Sequence, residues 1–113
     1  MSTNNQELLN KFVCPLEYSM SVFGGKWKPR ILCVLCNFKT LRYNQIRKEL
    51  NGITDIMLSK SLKELEEHDM VIRTQYNEIP PRVEYSLSEK GNSVIDVLLQ
   101  VAKWGSNNNP HSY

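Results

Sequence analysis

Residues 44–68, NQIRKELNGITDIMLSKSLKELEEH, decide the fold. Asn44 is a favoured helix N-cap, because its side-chain oxygen accepts one of the amide protons left over in a first turn. Ile46 and Leu50 lie four apart and share one face of the helix it opens. Asn51-Gly52 ends that helix, since glycine tolerates the backbone angles a helix end requires. Thr54 then caps a second helix over about Asp55 to His68. In it Leu58, Leu62 and Leu65 form a core stripe, and Ile56, Ser59, Lys60 and Lys63 fall on the opposite side. Two helices joined by a tight turn containing glycine make a helix-turn-helix.

Downstream, Met70 to Tyr76 is rich in β-favouring residues. Arg82 to Leu87 alternates, with Val83, Tyr85 and Leu87 on one face. Asn77 to Pro81 joins them, so the pair predicts a β-hairpin, a wing set directly after the helix-turn-helix. Ser88 caps a last helix running to about Trp104. Upstream, Gln6 to Phe12 reads as a short helix, and Pro15 suits the first turn of another through about Val22, stopped by Gly24-Gly25. Trp27 to about Cys36 is a further helix, with Pro29 in its first turn, and Leu41-Arg42-Tyr43 is a very short strand. The fold class is mainly α with a small antiparallel wing: one domain over residues 1–105, then a disordered tail over 106–113.

Charge is distributed unevenly. The net charge of +2 says little, but Lys26, Lys28, Arg30, Lys39, Arg42, Arg47, Lys48, Lys60 and Lys63 share their stretch with only two acids, Glu49 and Asp55. A basic middle with acidic flanks is the footprint of a phosphate-facing surface, although a solvated charged face has the same composition. The second helix of such a pair enters the DNA major groove, so its outward side chains must be short or polar. Thr54, Asp55, Ser59, Lys60 and Lys63 are the candidates there, with Arg42 and Arg82 for phosphate or the minor groove. Asp55 favours the helix dipole but repels phosphate; it can instead accept a hydrogen bond from cytosine. Ile56 either touches a thymine methyl or packs on the preceding helix.

From Val94 to Ala102 the last helix has almost no polar side. One apolar stripe serves a domain's own core, and a second needs a partner. Leu8, Leu9, Phe12, Leu16 and Met20 near the N-terminus supply one, so a symmetric homodimer through the terminal helices is expected, a helix buried in a compact monomer being the other solution.

Three cysteines, an odd number, argue against a disulfide framework. Cys33 and Cys36 read as small core residues. Cys14, just before Pro15, sits where a helix N-terminus would stabilise a thiolate and is the candidate redox sensor, the alternative being an inert thiol. His68 and His111 are too far off in sequence to complete a metal set, so no metal or other cofactor is expected. No nucleotide loop, hydrolase elbow or carboxylate pair marks an enzyme. No apolar run is long enough for a membrane span and no leader is visible, which predicts a cytoplasmic protein.

The segments CPLEYSMSVFGGKWKPRIL, LRYNQIRKELNGIT, MLSKSLKELEEHDMV and PPRVEYSLSEKG occur in this order between Cys14 and Gly105. In them the chain resembles the HxlR family of winged-helix regulators, relatives of the MarR group. The resemblance implies a dimeric cytoplasmic transcription factor on palindromic double-stranded operators. It also implies that Cys14 matches a cysteine some members use to sense oxidants or electrophiles. Departures are Asp55 and Ile56, where members often carry polar or basic residues, and Pro29, at a position more often apolar. The expected function is therefore a DNA-binding regulator answering to an oxidant or small molecule. An adaptor that uses the winged fold to bind protein instead of DNA is the alternative.

Overall fold

The computed structural model describes residues 5–111. The elements are α1 (Asn5–Phe23), α2 (Lys28–Phe38), β1 (Thr40–Leu41), α3 (Tyr43–Glu49), α4 (Asp55–Glu67), β2 (Val71–Tyr76), β3 (Arg82–Leu87), α5 (Glu89–Ser93) and α6 (Ile95–Asn108). Strand order is β1-β3-β2, all antiparallel, so the expected hairpin gains a third strand that ends before Arg42.

α2 is the central element, with Ile31, Leu32 and Leu35 sealed from water. Around it gather Ile46, Leu50, Leu58, Leu62 and Leu65 from the helix-turn-helix, Val71 from the sheet and Leu98 from α6. The stripe predicted on α4 is therefore the core stripe. Lys28 is turned inward as well: its Nζ donates to the Ser21 carbonyl of α1 at 3.0 Å and pairs with Glu64 of α4 at 3.4 Å. Lys26 and Arg30 flank the Trp27 ring at 4.8 and 4.7 Å. Of the three cations at the α2 end of the basic stretch, Lys28 thus ties helices together, while Lys26 and Arg30 stay exposed beside the Trp27 ring.

Several expected boundaries move. α1 is a single helix with Pro15 inside it, where two helices were predicted. Proline's φ is helical and it forfeits one backbone bond, to the Lys11 carbonyl; the helix formers on either side carry the ladder past it. Arg42 replaces Asn44 as the N-cap residue of α3, with its backbone N–H donating to Gln45 Oε1 at 2.8 Å. Thr54 caps α4 as predicted, Oγ1 accepting from the Met57 N–H at 3.1 Å.

The end of α4 is fixed by a Schellman motif. Asp69 takes φ +59°, the Met70 N–H bonds the Leu65 carbonyl and the Asp69 N–H bonds the Glu66 carbonyl. Met70's own carbonyl accepts from the Ser88 N–H at 3.1 Å. Gly91 lies against it so tightly that a Cβ there would stand 2.0 Å from the oxygen. The predicted last helix is two, broken at Val94, whose N–H makes a short-range bond to the Gly91 carbonyl. α5 packs on Met70 through Gly91, and α6 starts afresh at Ile95. α6 continues to Asn108, three residues into the segment expected as a tail.

Candidate nucleic-acid interface

α4 offers an outward face built by its own periodicity. With Leu58, Leu62 and Leu65 committed to the core, Asp55, Ile56, Ser59, Lys60 and Lys63 are all exposed, as is Thr54 at the cap. Ile56 is 81% exposed, so it does not pack on α3 and remains a free apolar contact. Among the described residues Lys60, Lys63, Lys48 and Arg42 have no carboxylate within ion-pair distance. Four unneutralised cations near one helix-turn-helix are what an array of phosphates requires.

The pitch of α4 against α3 is set by a hub that the sequence reading missed. Tyr43 Oη lies 3.1 Å from the Asp55 carbonyl, 3.1 Å from Asp55 Oδ1 and 3.1 Å from Ser59 Oγ. A phenol has one proton to give, so it donates to an Asp55 oxygen and accepts from the Ser59 hydroxyl. Arg47 Nη1 meets Asp55 Oδ1 at 3.0 Å. Asp55 and Ser59 are thus part of the joint between the two helices. The Asp55 charge, which alone would repel phosphate, is shared with a guanidinium. The only local hint was a hydroxyl and an arginine on α3 facing an acid at the start of α4 across a short turn.

The wing joins the helix-turn-helix through β1. Register pairs Leu41 with Tyr85, which brings Arg42, the next residue of the chain, level with Glu84. Arg42 also opens α3, whose first residue is Tyr43 of the hub. Beyond that level β2 and β3 continue unaccompanied to the Tyr76–Arg82 pair. Arg82 itself was expected to be presented freely after Pro80-Pro81. It is instead folded back: Nη2 is 3.3 Å from Glu78, Nε is 3.6 Å from Glu84, and the guanidinium lies 4.1 Å over the Tyr76 ring. The carboxylates that neutralise it are near neighbours in sequence, and only the folded hairpin brings them around it.

Away from this face, all three thiols are exposed, which corrects the core reading of Cys33 and Cys36. They lie three apart on the side of α2 that the fully buried Ile31, Leu32 and Leu35 do not use. Cys33 borders an apolar groove of about 380 Å³ between α2, the end of α3 and α6, lined also by Pro29, Val34, Leu50, Leu98 and Val101. Partial burial, and secondarily the neighbouring Cys36, push the Cys33 thiol above its ordinary value of 9.0. Cys14 is exposed on α1, inside the helix and not at its N-terminus. Among the described residues no cluster of three or more His, Cys, Asp or Glu could hold a metal, and no helix is long and apolar enough to cross a membrane.

The terminal helices keep an uncovered apolar surface. Leu16, Tyr18 and Met20 on α1 and Val97, Leu99, Val101 and Trp104 on α6 are about half exposed or more. The side chains of Leu8, Leu9 and Phe12, expected on the same surface, lie outside the described residues.

Three comparisons bear on this geometry. A family profile described as HxlR-like helix-turn-helix matches residues 22–113. MalR of Fusobacterium mortiferum is 44% identical over 102 residues, covering 90% of this chain and 96% of that protein. The HTH-type transcriptional regulator YdzF of Bacillus subtilis is 42% identical over 98 residues, covering 86% of this chain and 90% of its own. Among solved structures, the redox regulator HypR in its oxidized form superposes with a TM-score of 0.79 at 38% identity, covering 85% of this chain and 98% of that one.

Proposed function

The chain belongs to the HxlR-like helix-turn-helix family, and from that premise we propose how this DNA-binding transcriptional regulator engages its operator. It acts as a homodimer in the cytoplasm, joined through α1 and α6, whose exposed apolar side chains are the surface a second copy would cover. Two-fold symmetry then calls for a palindromic operator, with one α4 in each of two successive major grooves. Thr54, Ser59, Lys60 and Lys63 face the bases and the adjoining phosphates, and Arg42 holds the backbone beside the wing. Asp55 and Arg82 belong to the interface as braces, one of the helix joint and one of the hairpin. The protein carries out no reaction of its own.

The effector is either an oxidant acting at Cys14 or a small apolar molecule in the groove beside Cys33. The first is supported by the exposure of Cys14 and by the likeness to HypR, a redox regulator. The second is supported by the groove's volume, which is in the range of small-ligand sites.

The observation that carries this reading is the pair of unneutralised lysines, Lys60 and Lys63, on the exposed face of a helix whose pitch is locked by the Tyr43 hub. Its test is affinity for duplex DNA, with a sequence enriched from a random pool set against a scrambled duplex over a range of salt. Selective binding that weakens steeply with salt is expected, and Lys60→Ala should lower the slope of log K against log salt by about 0.9. Equal, weak binding to both duplexes, or a slope unchanged in the variant, would refute it.

A further inference from the structure

Winged proteins are expected to touch DNA through a cation on the wing, and here the geometry points to a different contact. We propose that the wing meets the minor groove through Ile79, an apolar tip, and that Arg82 serves to hold that tip in place. This rests on the DNA-binding reading above and specifies one residue of it.

Ile79 is fully exposed, a branched aliphatic side chain at the end of the hairpin with nothing of this chain covering it. Pro80 and Pro81 follow it directly, and their fixed φ angles remove much of the freedom that such a tip would otherwise lose on docking. The hairpin carries Arg73 and Arg82 against Glu78 and Glu84, so it is formally neutral and offers phosphate no net attraction. Arg82 is not available to change that. Both carboxylates and the Tyr76 ring hold its guanidinium. Swinging it outward would strand Glu78 and Glu84 as unpaired charges beside the DNA.

Position completes the argument. From the level of Arg42, the hairpin runs two residues further, about 7 Å, before the tip begins. With α4 in the major groove and Arg42 at the backbone, the next surface outward is the flanking minor groove. Aliphatic side chains such as Ile and Pro are chemically suited to it, packing on sugar edges and between base steps. An apolar contact of this kind adds affinity without releasing counterions.

The test uses the full chain and the duplex that the wild type enriches from a random pool. Ile79→Ser and the charge-balanced double variant Arg82→Gln/Glu84→Gln are titrated against it at several salt concentrations, with hydroxyl-radical footprinting of the minor groove and a urea melt to verify the fold. Ile79→Ser should bind about fivefold to tenfold more weakly, as expected for losing one partly buried aliphatic side chain. Its salt slope should stay that of the wild type, and minor-groove protection flanking the recognition sites should vanish. The double variant Arg82→Gln/Glu84→Gln, whose hairpin stays formally neutral, should likewise leave the salt slope unchanged. Wild-type affinity and footprint in Ile79→Ser would overturn the proposal and mark Ile79 as free for a protein partner. A slope reduced by about 0.9 in the double variant would overturn it by assigning the wing contact to the Arg82 cation. If the wild type itself binds no duplex with steep salt dependence, the DNA-binding reading falls and this inference with it.

Discussion

Asp55 gives the sharpest test of how the recognition face is built, because one substitution should move stability and affinity in opposite directions. Asp55→Asn keeps the shape and the hydrogen bond from Tyr43 while removing the charge paired with Arg47 at 3.0 Å. Both partners are about half exposed, so the pair contributes at most about 1 kcal/mol. An acid in the first turn of a helix adds about 0.3–1 kcal/mol more. The urea midpoint should therefore fall by the equivalent of about 1 kcal/mol. For DNA the sign reverses. A carboxylate about 7 Å from a phosphate repels it by about 0.6 kcal/mol in water, and by more as water is displaced. Freed Arg47 can make one new phosphate contact, which steepens the salt slope by about 0.9. Polarisation of a labelled scrambled duplex at low salt should show Asp55→Asn binding about threefold to tenfold tighter, the gain shrinking as salt rises. No gain at any salt would mean that the carboxylate does not face phosphate and that Arg47 is not held back by it. A loss confined to one sequence would instead make Asp55 a base-reading acceptor.

Three further outcomes follow from the packing. Gly91→Ala places a methyl 2.0 Å from the Met70 carbonyl, which is itself held by the Ser88 N–H, so it should cost about 2–3 kcal/mol in urea unfolding; wild-type stability would mean that α5 does not abut that peptide. On the proposed homodimer, Leu99→Glu puts a charge on the uncovered face of α6 and should halve the mass seen in sedimentation equilibrium while leaving the monomer fold intact. An unchanged mass would remove α6 from the dimer contact. The raised Cys33 thiol should alkylate with a rate that keeps climbing as pH rises past 9.0, as followed by mass spectrometry. Since folding favours its neutral form, the associated stability is present below that pH and is lost above it; a rate that levels off below pH 9 would contradict the partial burial.

Local chemistry announced the parts of this fold that local chemistry decides. Thr54 caps α4, the leucines at 58, 62 and 65 face the core, and the alternation from Arg82 to Leu87 is a strand, because each needs only its near neighbours. Where distant residues decide, the sequence was silent or misleading. Pro15 reads as a helix start until the whole of α1 is seen to run through it. Cys33 and Cys36 look like core residues, but the core side of α2 is already filled by Ile31, Leu32 and Leu35. The close approach of Gly91 to Met70, beside the break at Val94, is a contact across 21 positions that no local pattern announces. The same holds for the interface. The exposed lysines of α4 follow from periodicity, whereas the Tyr43 hub and the capture of Arg82 exist only once the turn and the hairpin have closed.

Lys28 has a mechanical consequence. Its side chain, only 12% exposed, fastens the Ser21 end of α1 to Glu64 on α4 through the ammonium. α1 is a rod of nineteen residues, about 28 Å long, and this pin lies close to one end of it. A rod clamped near one end behaves as a lever. A sideways push of 2 Å at the far end is a tilt of about 5°, and the clamp must either hand that tilt to α4 or give way. Giving way would part a mostly covered Lys28 side chain from a carboxylate that is about one-third exposed. A displacement at the far end of α1 would therefore be felt at α4 through this pin, although the two lie on different parts of the molecule.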